Sequence, residues 1–210
     1  MDQELIATFQ RDEDIHTHTA SEVFGVPDEN VKPEKRRVAK TVNFGVIYGM
    51  SGYGLEQATD LTREDAEKFI AAYFKRYPGV KDYVLNTKKQ AAELGYVQTV
   101  LGRRRYIPEI KSPNRIAREA AERMAVNMPV QGTSADIIKI AMINLHREMV
   151  KRGLKTVMTL QVHDELVFEV PPDEMDTMKQ IVHEIMPAAM KLAVPLKIDI
   201  KVGRNWGEMA

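Results

Sequence analysis

The amino-acid sequence predicts an α+β fold in which helices dominate and the strands form antiparallel hairpins. Residues that start and stop helices recur through the first half of the chain. Two short runs of β-branched and apolar residues, 157–162 and 166–170, stand three residues apart, which is typical of a hairpin. Helical and β-rich stretches do not alternate regularly, and this order is typical of an α+β protein.

Four helices are expected in the first half. The second of them begins at Pro33, because proline fits a first helical turn, where its missing N–H costs nothing. Thr62 is followed three residues later by Asp65, which resembles a capping box, and Gly95 is of the residue type that ends helices. These signals predict helices at 14–23, 33–48 and 62–77, and a fourth that ends at residue 94.

The second half is predicted to mix helices with hairpins. A short hairpin, 96–101 with 104–107, precedes a helix at 115–127 that should end before Pro129. Ser134 is expected to cap a helix to Arg152. The hairpin at 157–170, a helix at 173–192 and a last strand at 196–202 complete the pattern. We expect a helical region at 1–112 and a mixed region at 113–210.

Composition argues against several classes of protein. No apolar run reaches the roughly 20 residues that cross a bilayer, and the acidic, polar first residues are not expected to form a signal peptide. Cysteine is absent, which removes disulfides and thiolate metal sites and leads us to expect a cytoplasmic location. The 30 basic and 30 acidic residues balance, but basic side chains concentrate at 31–48 and 96–123, where they can bind a polyanion.

One predicted helix carries a pattern suited to a nucleotide. Its residues spaced four apart share one face, and they are Arg36, Lys40, Phe44 and Tyr48. Cations near the positive end of the helix dipole attract phosphates, and rings further along, at about 6 Å per step, suit a sugar and a base. A surface helix with basic residues and two partly buried rings is the alternative that spacing alone leaves open.

A second pattern is the polar tip between the two apolar strands of the later hairpin. His163, Asp164 and Glu165 stand where side chains can leave the core. A carboxylate at such a tip is a suitable ligand for Mg²⁺, which takes one or two protein carboxylates together with substrate phosphates. In most proteins a His-Asp-Glu turn is only a turn, so the surrounding sequence has to decide.

Four longer stretches resemble motifs of a known family. The strings DIHTHTA (14–20), RRVAKTVNFGVIYG (36–49), RMAVNMPVQGTSADIIKIAMI (123–143) and LQVHDELVFEVP (160–171) are similar to the phosphate-contacting, fingers-helix, duplex-contacting and palm motifs of family-A DNA polymerases. The resemblance covers nearly all of the chain. It implies a helical fingers region at 1–112, part of the palm at 113–210, and template-directed DNA synthesis.

The resemblance also implies roles at the reaction centre. The residues expected to bind the incoming deoxynucleoside triphosphate are His16, Arg36, Lys40, Phe44 and Tyr48. Asp164 is expected to bind both catalytic Mg²⁺ ions, with Glu165 as an auxiliary carboxylate and Lys40 as a further catalytic group. The chemistry would be attack of a primer 3′-hydroxyl on the α-phosphate, with release of pyrophosphate.

Further residues are expected to contact primer-template DNA. They are Arg123, Asn127, Gln131 and His163. The minor groove presents acceptors at similar positions for every base pair, so guanidinium and amide donors can test the shape of a pair without reading its sequence. Capping around Pro129 is an alternative, or additional, role for Asn127 and Gln131.

The second carboxylate of a two-metal site is not found in the sequence. In the family it lies in a strand motif read as DYSQIELR, upstream of the DIHTHTA segment, and that motif does not occur in the 210 residues. We expect the second aspartate to come from an N-terminal part of the polymerase and the 210 residues alone to be inactive. Without that part, uncovered strands and apolar surface favour association between copies.

Two other functions are compatible with parts of the sequence. One is a non-catalytic module that binds duplex DNA or nucleotides, and primer extension would distinguish it from a polymerase. The other is a metal phosphohydrolase built on His16, His18, His163 and Asp164. A phosphohydrolase would hydrolyse triphosphates without primer or template, but it leaves the pattern from Arg36 to Tyr48 unexplained.

Overall fold

The computed structural model describes residues 2–209, and these divide after residue 133 into a first unit and a second unit. The fold is α+β, as predicted: mostly helical, with two small antiparallel hairpins. The division lies later in the chain than the predicted boundary between a helical region at 1–112 and a mixed region at 113–210. The ranges for fingers and palm therefore stay a prediction.

The first unit contains six complete helices, one hairpin and the start of a seventh helix within the described residues. Its elements are α1 Gln3–Gln10, α2 Ile15–Phe24, α3 Pro33–Ile47, α4 Gly52–Ala58, α5 Arg63–Arg76, α6 Pro78–Leu94, β1 Tyr96–Gln98, β2 Arg104–Tyr106 and the beginning of α7 Arg115–Arg152. The helices α1 and α4 were not predicted. The other four agree with the predicted helices to within one or two residues at their ends.

Helix caps explain where α2 and α5 begin. The Asp14 carboxylate accepts from the backbone N–H groups of His16 and Thr17, and the Thr62 hydroxyl oxygen accepts from Asp65 N–H. Each cap satisfies backbone donors that have no partner inside the helix. The Thr62 hydroxyl also donates to the Asp65 carboxylate, so the predicted capping box is present.

A hydrophobic core in the first unit holds one side of α3 against its neighbours. Val38, Val42 and Val46 are buried in one cluster with Leu55 of α4 and with residues of α5, among them Tyr73. These valines lie four positions apart, which places them on a single side of the helix. The opposite side of α3 is therefore left for solvent or a ligand.

Helix α7 is the largest departure from the sequence prediction. It runs unbroken from Arg115 to Arg152 with Pro129 inside it, so the predicted end before Pro129 and the predicted cap at Ser134 are both wrong. Proline cannot donate to the carbonyl four residues earlier, and two hydroxyl groups hydrogen-bond to other carbonyls of the helix close to this point. The Tyr83 hydroxyl donates to the Val126 carbonyl at 2.7 Å, and the Thr133 hydroxyl donates to the Pro129 carbonyl at 2.6 Å.

The β1–β2 hairpin packs against the part of α7 that lies in the first unit. Val97 is buried in a cluster with Ala121 and Ala125, and Val100 N–H donates to the Thr133 hydroxyl oxygen at 3.2 Å. A Cβ at Gly132 would lie 2.6 Å from Thr99 Cγ2, so only glycine permits this approach. The strands are shorter than predicted but pair in the expected antiparallel sense.

The second unit combines the end of α7 with a hairpin and one further helix. Its elements are β3 Val157–Val162, β4 Glu165–Glu169 and α8 Met175–Ile185. Side chains of α7 and α8, among them Leu145 and Ile181, form its core. The buried Glu174 carboxylate accepts from the backbone N–H groups of Lys155 and Thr156 and from the Thr156 hydroxyl, which fixes the start of β3.

Two elements of the second unit were predicted too long or wrongly. Helix α8 ends at Ile185 rather than residue 192, shortly before Pro187, which has no N–H to continue the hydrogen-bond ladder. The strand predicted at 196–202 is not a strand within the described residues, because no neighbouring strand pairs with it there. Ile198 and Ile200 nevertheless pack against the core, as the alternating pattern required. Among the helices at 2–209, none is long and apolar enough to cross a membrane.

Candidate nucleotide-binding face and metal-site hairpin

The exposed face of α3 carries two cationic side chains near the start of the helix and an aromatic ring further along it. The Arg36 and Lys40 side chains are exposed, and Phe44 keeps 49% of its surface accessible. Tyr48 is half-buried and occupies the C-cap position, one residue beyond the helix. The valines on the opposite side are buried, so this side of the helix faces outward, and its groups follow the order expected from the sequence. We call it the α3 face, and it consists of Arg36, Lys40, Phe44 and Tyr48.

A carboxylate from the cap of α2 reaches the first cation of the α3 face. Arg36 Nε donates to Asp14 Oδ2 at 2.7 Å. Partial burial acts to raise the pKa of Asp14, but hydrogen bonds from Arg36, His16 N–H and Thr17 outweigh it and lower the pKa to about 2. Asp14 is therefore ionised at neutral pH and ties α2 to α3. This bond uses one of the five N–H donors of the guanidinium.

His16 lies beside the aromatic part of the α3 face. Its ring centroid is 5.6 Å from that of Phe44, and its Nδ1 is 3.0 Å from Asn43 Nδ2. Burial lowers the pKa of His16, the charges of Arg36 and Lys40 lower it further, and Asp14 opposes them. The imidazole is therefore neutral at neutral pH.

The end of α3 approaches the predicted duplex-contacting residues of α7. Gly49 adopts φ +72°, and a Cβ there would lie 2.9 Å from Arg123 Cγ, so a side chain at this position would be strained and crowded. Arg123 and Gln131 are exposed, and Asn127 between them is half-buried. The predicted capping role for Asn127 and Gln131 is wrong, because no helix ends near Pro129.

The predicted metal-site residues sit at the tip of the β3–β4 hairpin in the second unit. His163 and Asp164 form the two-residue turn, with His163 at φ +51°, and Glu165 begins β4 opposite Val162. All three of the predicted residues are exposed, so the carboxylates are available to a ligand. The tip belongs to the second unit and the α3 face to the first.

The donor chemistry at the tip suits Mg²⁺ only in part. Asp164 and Glu165 supply carboxylate oxygens, the ligand type that this ion prefers. Among residues 2–209, however, no group of three histidine or acidic side chains is placed to hold a metal ion. The tip can therefore supply one side of a metal site but not a complete one, and the phosphohydrolase alternative loses its proposed ligand cluster.

Two residues near the α3 face were missed from the sequence. Aspartate is a residue type that commonly caps helices, so the cap at Asp14 could have been predicted from the sequence. Its ion pair with Arg36 could not, because the two residues are 22 positions apart. Asn43 is buried between α2 and α3 with 7% of its surface accessible. A polar residue at a core position of an amphipathic helix was the available signal, because buried amides require partners.

Comparisons with known proteins identify the family of the chain. The sequence model of DNA polymerase family A matches residues 1–208. The chain is 49% identical over 99% of its length to DNA polymerase I of Caldicellulosiruptor bescii and 46% identical over 98% to the thermostable DNA polymerase I of Thermus aquaticus, of which it covers 24% each. It thus spans about a quarter of the length of these relatives.

A solved structure extends the likeness to three dimensions. The POL domain of Pol1 from M. smegmatis, in complex with DNA primer-template and dNTP, matches with a TM-score of 0.94 and 47% sequence identity over 99% of this chain and 37% of that one. Family, curated relatives and solved structure therefore point the same way, and the chain belongs to DNA polymerase family A.

Proposed function

We propose that this chain supplies the nucleotide grip, duplex contacts and one metal-binding carboxylate for template-directed DNA synthesis. The observation that carries the proposal is the α3 face, on which exposed cations precede rings while the opposite side is buried. Membership of DNA polymerase family A supports it. So does the similar POL domain, whose structure contains primer-template DNA and dNTP.

The incoming deoxynucleoside triphosphate lies along the α3 face in this proposal. Arg36 and Lys40 contact the phosphates, and His16 adds a hydrogen-bond donor beside them. Phe44 packs against the sugar, and Tyr48 closes the pocket near the base. Lys40 also donates a proton or neutralises charge as pyrophosphate leaves.

Primer-template DNA lies against α7 and the tip of the β3–β4 hairpin. Arg123, Asn127 and Gln131 stand four residues apart on the helix, so their donors share a face that can follow a groove. The buried Asn127 Oδ1 has no hydrogen-bond partner among the described residues, which suits a side chain that gains partners on binding. His163 contacts the primer end in this proposal.

Asp164 holds Mg²⁺, with Glu165 as an auxiliary carboxylate, and the proposed site uses two ions. The ions supply charge neutralisation on the reacting phosphate oxygens. Among residues 2–209 no group of three histidine or acidic side chains is placed to hold a metal ion, so we propose that the second metal-binding aspartate comes from an N-terminal part of the polymerase. That part is the proposed protein partner, and association between copies is the alternative.

Primer extension tests the proposal directly. The chain would be assayed with primer-template DNA, dNTP and Mg²⁺, first alone and then with a polypeptide that carries the DYSQIELR strand motif and the region before it. Extension only in the second mixture supports the proposal. If neither mixture extends the primer while the chain still binds DNA, it is a non-catalytic binding module.

A further inference from the structure

Asn43 is held in one orientation by two hydrogen bonds around its buried amide. Its Nδ2 donates to the carbonyl of Ile15 at 3.4 Å, and its Oδ1 accepts from the Thr19 hydroxyl at 3.1 Å. Thr19 is fully buried, so it cannot move away. Since a carbonyl only accepts, the group that faces Ile15 must be the amide nitrogen and not the oxygen.

The orientation of the amide determines the proton on the neighbouring imidazole. The same Nδ2 lies 3.0 Å from His16 Nδ1, and an NH₂ group has no lone pair to offer there. His16 Nδ1 must therefore be the acceptor. In a neutral ring the single proton then sits on Nε2.

We propose that Asn43 is a positioning residue that keeps His16 as a neutral imidazole with its proton on Nε2, so that it donates to the triphosphate at every pH at which the enzyme works. The inference rests on the proposed function, because it gives His16 a phosphate to bind. It adds a role for Asn43, which does not itself lie on the α3 face.

Burial and two neighbouring cations favour the neutral state of His16. Burial lowers the pKa of His16, and Arg36 and Lys40 on α3 lower it further, whereas the charge of Asp14 at the start of α2, which also bonds Arg36, raises it. A histidine that had to be protonated in order to donate would lose its contact as the pH rises above its pKa. A neutral Nε2–H donor does not depend on pH in this range.

The tautomer can be measured on the unchanged chain. The five histidines would be labelled with ¹⁵N, and His16 would be assigned from the signal lost in His16→Gln. At pH 7.5 we expect His16 Nδ1 to show the chemical shift of an unprotonated ring nitrogen and Nε2 that of a protonated one. A protonated Nδ1, or a cationic ring, would overturn the inference without any variant of Asn43.

Asn43→Asp tests the consequence for binding. A carboxylate at this position accepts a proton from Nδ1 and raises the pKa of His16. At a pH below that pKa, the His16 ring is cationic and still donates from Nε2. At a pH above it, the one remaining proton stays on Nδ1, where it faces the carboxylate, and Nε2 becomes an acceptor. We expect affinity for deoxyadenosine triphosphate to fall by about ten-fold between pH 6.5 and pH 9.0, the worth of one hydrogen bond to a charged group.

Asn86→Asp is the matched control, because Asn86 is an exposed residue of α6 and the charge change is the same. Its affinity should follow that of the unchanged chain at each pH. Parallel pH profiles for Asn43→Asp and Asn86→Asp would overturn the inference. If the unchanged chain bound no triphosphate, the proposed function would fail and take the inference with it, whereas a wrong tautomer with intact binding would overturn the inference alone.

Discussion

Asp164 is the single residue on which the proposed chemistry depends most. Its carboxylate is exposed at the hairpin tip, so removing it should leave the fold intact. In primer extension with the upstream part supplied, we expect Asp164→Ala to lower the rate by at least about a thousandfold, since metal ions contribute several kcal/mol to the transition state. Asp173→Ala, at another exposed acidic position, is the control. Retention of most activity by Asp164→Ala would contradict the metal assignment.

Glu174 gives a prediction about stability rather than catalysis. Its pKa is lowered, first by the Lys155 backbone N–H and then by the Thr156 hydroxyl and N–H, against the opposing effect of burial. A lowered pKa means that the carboxylate stabilises the fold above its unfolded-state pKa, about 4.3, and that this stabilisation is lost as the pH falls through the lower, folded-state pKa.

The measurement is the free energy of unfolding of the unchanged chain and of Glu174→Gln from pH 7 to pH 3. We expect the unchanged chain to be the more stable of the two at pH 7 and the difference to shrink below about pH 4. A difference that stayed constant across this range would show that the charge of Glu174 contributes nothing.

The α3 face could be predicted from the sequence, but the contacts that Asp14 and Asn43 make beside it could not. The face follows from spacing along one helix, which the sequence displays directly. The contacts of Asp14 with Arg36 and of Asn43 with His16 join residues 22 and 27 positions apart. Such pairs depend on how α2 packs against α3, which no local pattern encodes.

At the scale of single elements, α5 and α7 differ in what their hydroxyl residues do. Thr62 caps α5 with a hydrogen bond from Asp65 N–H, whereas Ser134 is an exposed residue inside α7. We expect Thr62→Ala to lower the free energy of unfolding by about 1 kcal/mol. Ser134→Ala should be neutral or slightly stabilising, because alanine has the higher helix propensity.

Chemical denaturation of the two variants provides the test. A loss of about 1 kcal/mol on Ser134→Ala, comparable to a lost cap, would mean that α7 is broken near Pro129 after all. No loss on Thr62→Ala would mean that the cap of α5 contributes nothing to stability.

The elements that were predicted well are those whose ends carry their own signals. Pro33, Thr62 and Gly95 lie at or beside the ends of helices in the structure. Pro129 carries an equally strong local signal, yet α7 continues through it, and beside it Tyr83 of α6 donates to the Val126 carbonyl while Thr133 within α7 donates to the Pro129 carbonyl. Tertiary contacts outweigh the local preference there. The segment 196–202 shows the converse, since strand-like alternation without a pairing partner does not make a strand.

At the scale of the whole molecule, zero net charge conceals a basic surface. Arg103, Arg104 and Arg105 on the first hairpin and Arg123 on α7 are all exposed. If these cations neutralise DNA phosphates, binding must release counterions, and affinity must fall steeply with salt. The slope of log affinity against log salt concentration is proportional to the number of phosphates that the protein neutralises, and we expect it to indicate several. We expect Arg104→Ala to reduce the magnitude of this slope by about 1.

Fluorescence anisotropy with a labelled primer-template between 50 and 200 mM salt measures this slope. Over this range of salt concentration, a protein with six or more phosphate contacts loses DNA affinity by about 10³-fold or more. Lys75→Ala, at an exposed basic position on α5, is the comparison for a cation outside the proposed DNA surface. A flat response to salt would contradict DNA binding through these residues.

The order of groups along the α3 face is the claim on which the proposed function rests, and titration calorimetry can test it with two ligands. Deoxyadenosine triphosphate and inorganic tripolyphosphate would each be titrated into the unchanged chain, Lys40→Ala, Phe44→Ala and the control Lys81→Ala, whose lysine is exposed on α6. We expect Lys40→Ala to weaken both ligands by about ten-fold, Phe44→Ala to weaken only the nucleotide, and Lys81→Ala to change neither. Equal binding of both ligands to all four proteins would show that the α3 face does not hold a nucleotide.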